Sequence, residues 1–246
     1  MNEHQYGFSL IELAIVLFIL SLLLSTLLPP LSAQIEQKQR EETQARLDEI
    51  KEVLYGFAFK NERLPCPDCR LAGEGTCVAA DVDDGVEDRT GVGDNDCKSE
   101  VGNLPWTTLG VKGFDAWEQD FTYRVTDDFA DDAAGVGTDP ATCIATVGVS
   151  FALCSDGDLT ILDSDGGANV ATDVPAVVIS HGRNWTETPS ADEEENYDDS
   201  ASATDSLKTF VYQDYRGDDA NPYDDMLIWI SPHTLRLKML EAGILP

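Results

Sequence analysis

From Phe8 to Leu28 the chain is apolar except at Ser9, Glu12, Ser21, Ser25 and Thr26. A stretch with no polar face cannot be one side of a helix half-sunk in a soluble core. It asks for nonpolar surroundings all round. Residues 8–31 rise roughly 36 Å as a helix at about 1.5 Å each, enough to cross a hydrocarbon core of about 30 Å. Glu12 sits near the start of that run. A charged side chain in a spanning segment costs about 2.5 kcal/mol or more and is kept where it has a task.

A cleaved secretory signal is built differently, with a basic start, an apolar core of about 7–15 residues and small residues before the cut. Here residues 1–7 contain no Lys or Arg, the apolar run is longer, and Pro29-Pro30 stands in place of a small-residue site. A plain single-pass anchor fits the length but leaves Glu12 idle.

Gly7, Phe8 and Glu12 carry a more specific pattern: a short polar leader ending in glycine, an aromatic residue, then a glutamate four positions on. This resembles the processing site of type IV pilins and type II secretion pseudopilins, and Pro29 falls where many pilins carry a proline. The leader departs from that family in having Glu3 and His4 but no basic residue. The resemblance implies cleavage by a prepilin peptidase between Gly7 and Phe8 and N-methylation of the new Phe8 amine. It implies that Glu12 pairs with the Phe8 amine of a neighbouring subunit during assembly. A carboxylate in apolar surroundings is costly until an opposite charge arrives, so such pairing rewards correct register. The expected path is an inner-membrane single-pass protein with a periplasmic head, then a pilus or pseudopilus built with other pilin or pseudopilin subunits. The expected divisions are a leader at 1–7, a transmembrane helix half at 8–31, an amphipathic helix half at 32–60 and a disulfide-rich head at 61–246.

Composition narrows the partners. The formal charge is −30, from 46 acidic and 16 basic residues. Such a surface repels nucleic acid, and none is expected as a partner. Six cysteines, Cys66, Cys69, Cys77, Cys97, Cys143 and Cys154, are an even number in a chain read as exported, which predicts disulfides. Cys143 and Cys154 stand apart from the rest and close a short segment, a natural pair contributing about 3 kcal/mol in the chain-entropy model. The other four admit three pairings.

Residues 34–60 read as a helix with an apolar stripe at Leu47, Ile50, Leu54, Phe57 and Ala58 and a charged opposite face. Pro65 predicts its end. Residues 66–101 are loop-rich. Strands are expected at 121–125, at 174–180, at 210–215 and at 226–230, with 143–153 and 158–162 as a cysteine-bridged hairpin. Residues 191–205, acidic and serine-rich, read as a solvated loop. Ser231-Pro232 predicts a closing helix to about Leu240. The fold class is therefore α+β: a long N-terminal helix packed on an antiparallel β-sheet head, as in pilins. Short motifs in the head, Leu64-Pro65-Cys66-Pro67, Leu104-Pro105-Trp106, Asp115-Ala116-Trp117 and the run 224–229, resemble elements of large pilin-like proteins. The Asp115 loop is similar to the Asp-x-Trp-Gly loop of pseudopilins, with Glu118 in place of the glycine. The large, acidic head points to a minor or tip-associated subunit.

Other chemistries have weaker support. Cys66-Pro67-Asp68-Cys69 has the spacing of a thiol oxidoreductase, but it follows a long helix and precedes an acidic loop rather than opening a helix in a βαβ unit. A four-cysteine zinc site is a further alternative. Calcium takes six to eight oxygen ligands in flexible loops. Its candidates are Asp81, Asp83, Asp84, Asp88, Asp94 and Asp96, then Asp163 and Asp165, then Asp218, Asp219, Asp224 and Asp225, none in an EF-hand pattern. Ser180-His181-Gly182 is not a nucleophile elbow, so no enzyme is expected. An adhesin or ligand-binding head displayed on a pilin stem is the alternative binding reading.

Overall fold

The computed structural model describes residues 9–90, 96–130, 150–184, 189–197, 208–217 and 221–245, with the backbone only for 24–32. Helix α1 runs Leu10–Asn61 and includes Pro29 and Pro30. It ends where Glu62 turns into the left-handed region at φ 61° while its N–H still reaches Ala58 O at 2.8 Å. This is a left-handed helix cap, placed just ahead of Pro65.

The chain divides into two compact units, Met1–Glu41 and Glu42–Pro246. In the first unit the apolar side chains from Leu10 to Leu23 are exposed around the whole helix, Phe18 by 65%. Among the described residues no helix is long and apolar enough to cross a membrane.

In the second unit α1 is one-sided. Leu47, Ile50, Leu54 and Ala58 are buried, as their spacing predicts, together with Tyr55, while Phe57 is only partly covered. Beneath the stripe lies a sheet ordered β1 (Val101–Asn103), β2 (Thr122–Val125), β5 (Ala176–Ser180) and β7 (Met226–Ile230), antiparallel throughout. Alternation sorts its faces. Tyr123, Val125, Ala176, Val178, Ile228 and Ile230 join the α1 stripe in one core. Leu235 and Met239 of the closing helix α4 (Pro232–Glu241) complete it. Val177, Ile179 and Leu227 face the other way onto Leu159, Ile161, Val174 and Phe210. Those come from β3 (Leu159–Leu162), β4 (Asn169–Val174) and β6 (Thr209–Val211), a second sheet in which β3 pairs antiparallel with β4 and parallel with β6. The result is α+β, with the first sheet covered on both faces, so every residue of β5 is buried. The short elements are α2 (Trp106–Leu109), a 3-10 turn at Asp127–Phe129 and α3 (Ala191–Glu194).

Three expectations change. The partner of β3 is β4, not 143–153: residues 150–154 form no strand, and 143–149 lie outside the described residues. The run 174–180 is not one strand. Pro175 has no N–H to give a ladder, and the chain changes sheet there, leaving β4 at Val174 and entering β5 at Ala176. The start of the 191–205 segment is not a solvated loop. Ser190 caps α3 in a reciprocal box with Glu193, and Asp192, Glu193 and Asn196 are buried.

The Asp115 loop keeps a turn without its glycine. Asp115 Oδ1 accepts from the N–H of Trp117 at 2.8 Å and of Gln119 at 2.9 Å, and Glu118 is held at φ 64°. A side chain in that region costs about 1–2 kcal/mol, against about 0.5–1 kcal/mol for the extra freedom glycine has when unfolded. Glu118→Gly should therefore raise stability by roughly 0.5–1 kcal/mol in urea unfolding. A loss of stability would show that the Glu118 side chain makes up for its backbone.

Candidate functional site

At the amino end the first turn of α1 is closed by two side chains. Ser9 N–H donates to Glu12 Oε2 at 2.9 Å, and Glu12 N–H donates to Ser9 Oγ at 3.3 Å. Leu13 N–H bonds Ser9 O at 3.2 Å, so Ser9 is the N-cap. This is a capping box, readable in the sequence as Ser-x-x-Glu. It also sets a negative charge where the helix dipole is positive. The carboxylate of Glu12 is thus already oriented within one chain. Gly7 and Phe8 lie outside the described residues.

The cysteines pair as Cys66–Cys97 and Cys69–Cys77. This overturns the oxidoreductase and four-cysteine zinc readings: both cysteines of the Cys66–Cys69 motif are bonded elsewhere, and among the described residues no cysteine is free. Cys154 is also disulfide-bonded, while its expected partner Cys143 lies outside the described residues. The knot is tied to the end of α1 by a fork: Arg63 donates from both terminal nitrogens to Glu87, each at 2.7 Å.

Most acids of the knot already have partners within the protein. Lys98 Nζ lies between Asp81 at 2.8 Å and Asp88 at 3.3 Å, and Asp88 Oδ2 accepts from Cys69 N–H at 2.9 Å. Asp83 accepts from Asn103 Nδ2 at 3.3 Å, and Asp84 from Val86 N–H at 2.8 Å. Asp96 is exposed, and Asp94 lies outside the described residues. Cys69, Asp81 and Asp88 are close enough for a metal, yet the sulfur is in a disulfide and an ammonium serves both acids. Asp68, within the Cys66–Cys69 motif but not among the calcium candidates, is fully buried in their midst. Its Oδ2 accepts from Gly85 N–H at 2.9 Å, and its Oδ1 has no hydrogen-bond partner. Burial, then the charges of Asp84 and Asp88, push its carboxyl up to about 7.

The second convergence joins distant segments. Ligand oxygens of Glu193, Asp224 and Asp225 all lie within 4.8 Å of one another. Asp224 and Asp225 come from the approach to β7, and Glu193 from the α3 capping box. Burial pushes Asp224 up to about 6, with Asp225 and Glu193 adding to the rise and the N–H groups of Arg183 and Asn184 opposing it. Asp163 and Asp165 sit in the β3–β4 turn, where Asp163 accepts from Ala168 N–H at 2.9 Å. Asp218 and Asp219 lie outside the described residues.

Beside this cluster, Thr122 Oγ1 lies 2.9 Å from His181 Nε2, and Asp225 Oδ1 lies 3.8 Å from His181 Nδ1. The residue types match a hydrolytic relay; the geometry does not. The longer separation is not a hydrogen bond, and Thr122 is buried between β1 and β5.

The family model for the prokaryotic N-terminal methylation motif matches residues 3–28 of this chain. That motif is the signal of type IV pilins and pseudopilins, and it spans Gly7, Phe8 and Glu12. No curated protein and no solved structure matches the chain.

Two outcomes follow for the knot. Peptide mapping without reduction should recover Cys66 linked to Cys97 and Cys69 to Cys77; a Cys66–Cys69 peptide would refute the pairing. Asp68 titrates higher folded than its ordinary 3.8, so its contribution to stability is complete below about pH 4 and is lost as pH rises through about 7. Asp68→Asn should unfold at a higher temperature than the parent at pH 8, the gap closing toward pH 4. A gap independent of pH would contradict the buried charge as its cause.

Proposed function

We propose that this chain is a prepilin-like subunit, cleaved after Gly7, N-methylated at Phe8 and assembled through its apolar amino-terminal helix into a type IV pilus or type II secretion pseudopilus. The observation that carries the reading is the methylation motif over residues 3–28 with Glu12 set in the first helical turn. Before assembly, residues 8–31 form its single inner-membrane span, residues 32–60 the amphipathic half of the stem, and residues 61–246 the periplasmic head. The size and acidity of the head support a minor or tip-associated position rather than a repeating one.

The capping box adds a physical detail to the role of Glu12. Its Oε2 serves the Ser9 N–H, and one carboxylate carries two oxygens. Glu12 can therefore keep its own helix capped while Oε1 receives the ammonium of a neighbour's Phe8. The two roles separate by substitution. Gln at position 12 keeps the cap, since a capping box accepts Glu or Gln, but it has no charge to pair. Ala loses both.

Glu12→Gln and Glu12→Ala should each lower recovery in sheared filaments at least about ten-fold, the effect of losing one charge-assisted hydrogen bond of about 1.5 kcal/mol. Membrane insertion should persist, because both changes remove a charge from the span. Full incorporation of Glu12→Gln beside failure of Glu12→Ala would leave capping as the only role of Glu12 and refute the intersubunit pair.

A further inference from the structure

Each sheet ends in two edge strands, and an edge is a row of main-chain groups ready to pair with another chain. At β1, β6 and β4 the fold manages this exposure itself. Asp68 covers β1, its N–H donating to Asn103 O at 3.0 Å and its carbonyl accepting from Asn103 N–H at 2.8 Å. The Asn196 side chain covers β6, accepting from Val211 N–H at 2.8 Å and donating to Val211 O at 3.0 Å. Strand β4 shifts register twice against β3, holds Asp173 at φ 57° and exposes Asn169, Thr172 and Asp173. An irregular polar edge of that kind resists pairing.

The remaining edge, β7, has none of these devices. Thr126 N–H donates to Pro175 O, and bonded pairs alternate along an antiparallel ladder. Strand β5 therefore turns the main chain of Val177 and Ile179 to β2 and that of Ala176, Val178 and Ser180 to β7. Met226, Ile228 and Ile230 return those bonds, which leaves the N–H and C=O of Leu227 and of Trp229 on the outer side. Among the described residues no hydrogen bond reaches any of these four groups. The strand pairs with β5 in unbroken register, and Met226–Ile230 includes no charge, glycine or proline. Leu227 and Ile228 keep 4% and 6% exposure where the apolar residues of β5 keep at most 1%, and Met226 and Trp229 are half-buried. Beside them the exposed Tyr212 meets the Trp229 ring edge-on, with 5.3 Å between centroids.

We propose that β7 is a docking edge that takes an extended segment of another polypeptide as a fifth strand of the first sheet. The main chain of that segment pairs with Leu227 and Trp229, two residues and about 7 Å apart, the repeat of a strand. Every second side chain of the segment lies on the face of Trp229 and Tyr212 and is apolar, while main-chain bonds supply the grip. Its flanks are basic. This chain carries a formal charge of −30, and Asp214 is exposed two residues beyond Tyr212, so a second copy would bring like charge to the contact where lysine or arginine would complement it.

The test uses the full chain in detergent micelles, with the end-blocked peptide Lys-Val-Thr-Val-Thr-Val-Lys as the probe and amide hydrogen exchange read by NMR. In the chain alone, exchange should be fast at Leu227 and Trp229 and slow at Met226, Ile228 and Ile230. The peptide in millimolar excess should slow both outer amides at least about ten-fold. The same peptide N-methylated at its interior amides should slow neither, and one with glutamate at both ends should bind at least about ten-fold more weakly. Leu227→Pro removes an outward N–H and leaves the ladder to β5 intact, so it should fold and lose the response. Where that variant does not fold, the methylated peptide carries the same test. The proposal is overturned if the peptide slows neither outer amide, or if the methylated or the acidic peptide acts as well as the parent. It is equally overturned if Leu227 and Trp229 are already slow in the chain alone, or become so as the chain is concentrated, which would put a second copy on the edge.

Discussion

Leu47, Ile50, Leu54 and Ala58 form the contact on which the second unit is built, because they give the first sheet a cover for one face. A sheet with an apolar face open to water would not persist, and α1 closes that face with α4 beside it. Covering the opposite face with the second sheet makes β5 a central strand, which is why its sequence is apolar without alternation. Along the same helix, residues 10–23 follow another rule, exposing apolar side chains all round. A helix hydrophobic on every side belongs in a membrane or in the middle of a bundle. The methylation motif covers that end of the chain.

Charge is the second constraint. With 46 acids and 16 bases, most carboxylates cannot have a basic partner, so those drawn into the fold must be held by other donors. Among the described residues, backbone N–H groups hold several of them. Asp115 holds its turn through the N–H of Trp117 and Gln119, Glu193 caps α3, Asp224 gathers the turn after β5, and Asp88 takes the Cys69 N–H. Basic side chains hold others, as where Arg63 grips Glu87 and Lys98 serves two acids at once. Among the described residues, Asp68 and Asp224 each keep one buried carboxylate oxygen with no hydrogen-bond partner.

Much of this could be read in the residues, and what could not has a physical reason. The α1 stripe, β7 and α4 were legible because apolar spacing and a Ser-Pro helix start are local signals. The strand β1 has only three residues, and β4 is a largely exposed edge, so neither carries a hydrophobic alternation. The burial of Asp192 and Glu193 was hidden because an acidic segment resembles a solvated one until its backbone partners are known. Disulfide pairing depends on which loops meet in space, and spacing left three arrangements open where the fold has one. Glu12 stands out as a charge in an apolar run, and the Ser-x-x-Glu capping box that joins it to Ser9 is an equally local signal.

The proposed processing of the amino end would leave a covalent trace. Intact-mass measurement of the protein extracted from membranes of cells with an active prepilin peptidase tests it directly. The expected mass is that of a chain lacking Met1 to Gly7 that begins at Phe8 and carries one added methyl group. Recovery of the chain with residues 1–7 still attached would contradict it.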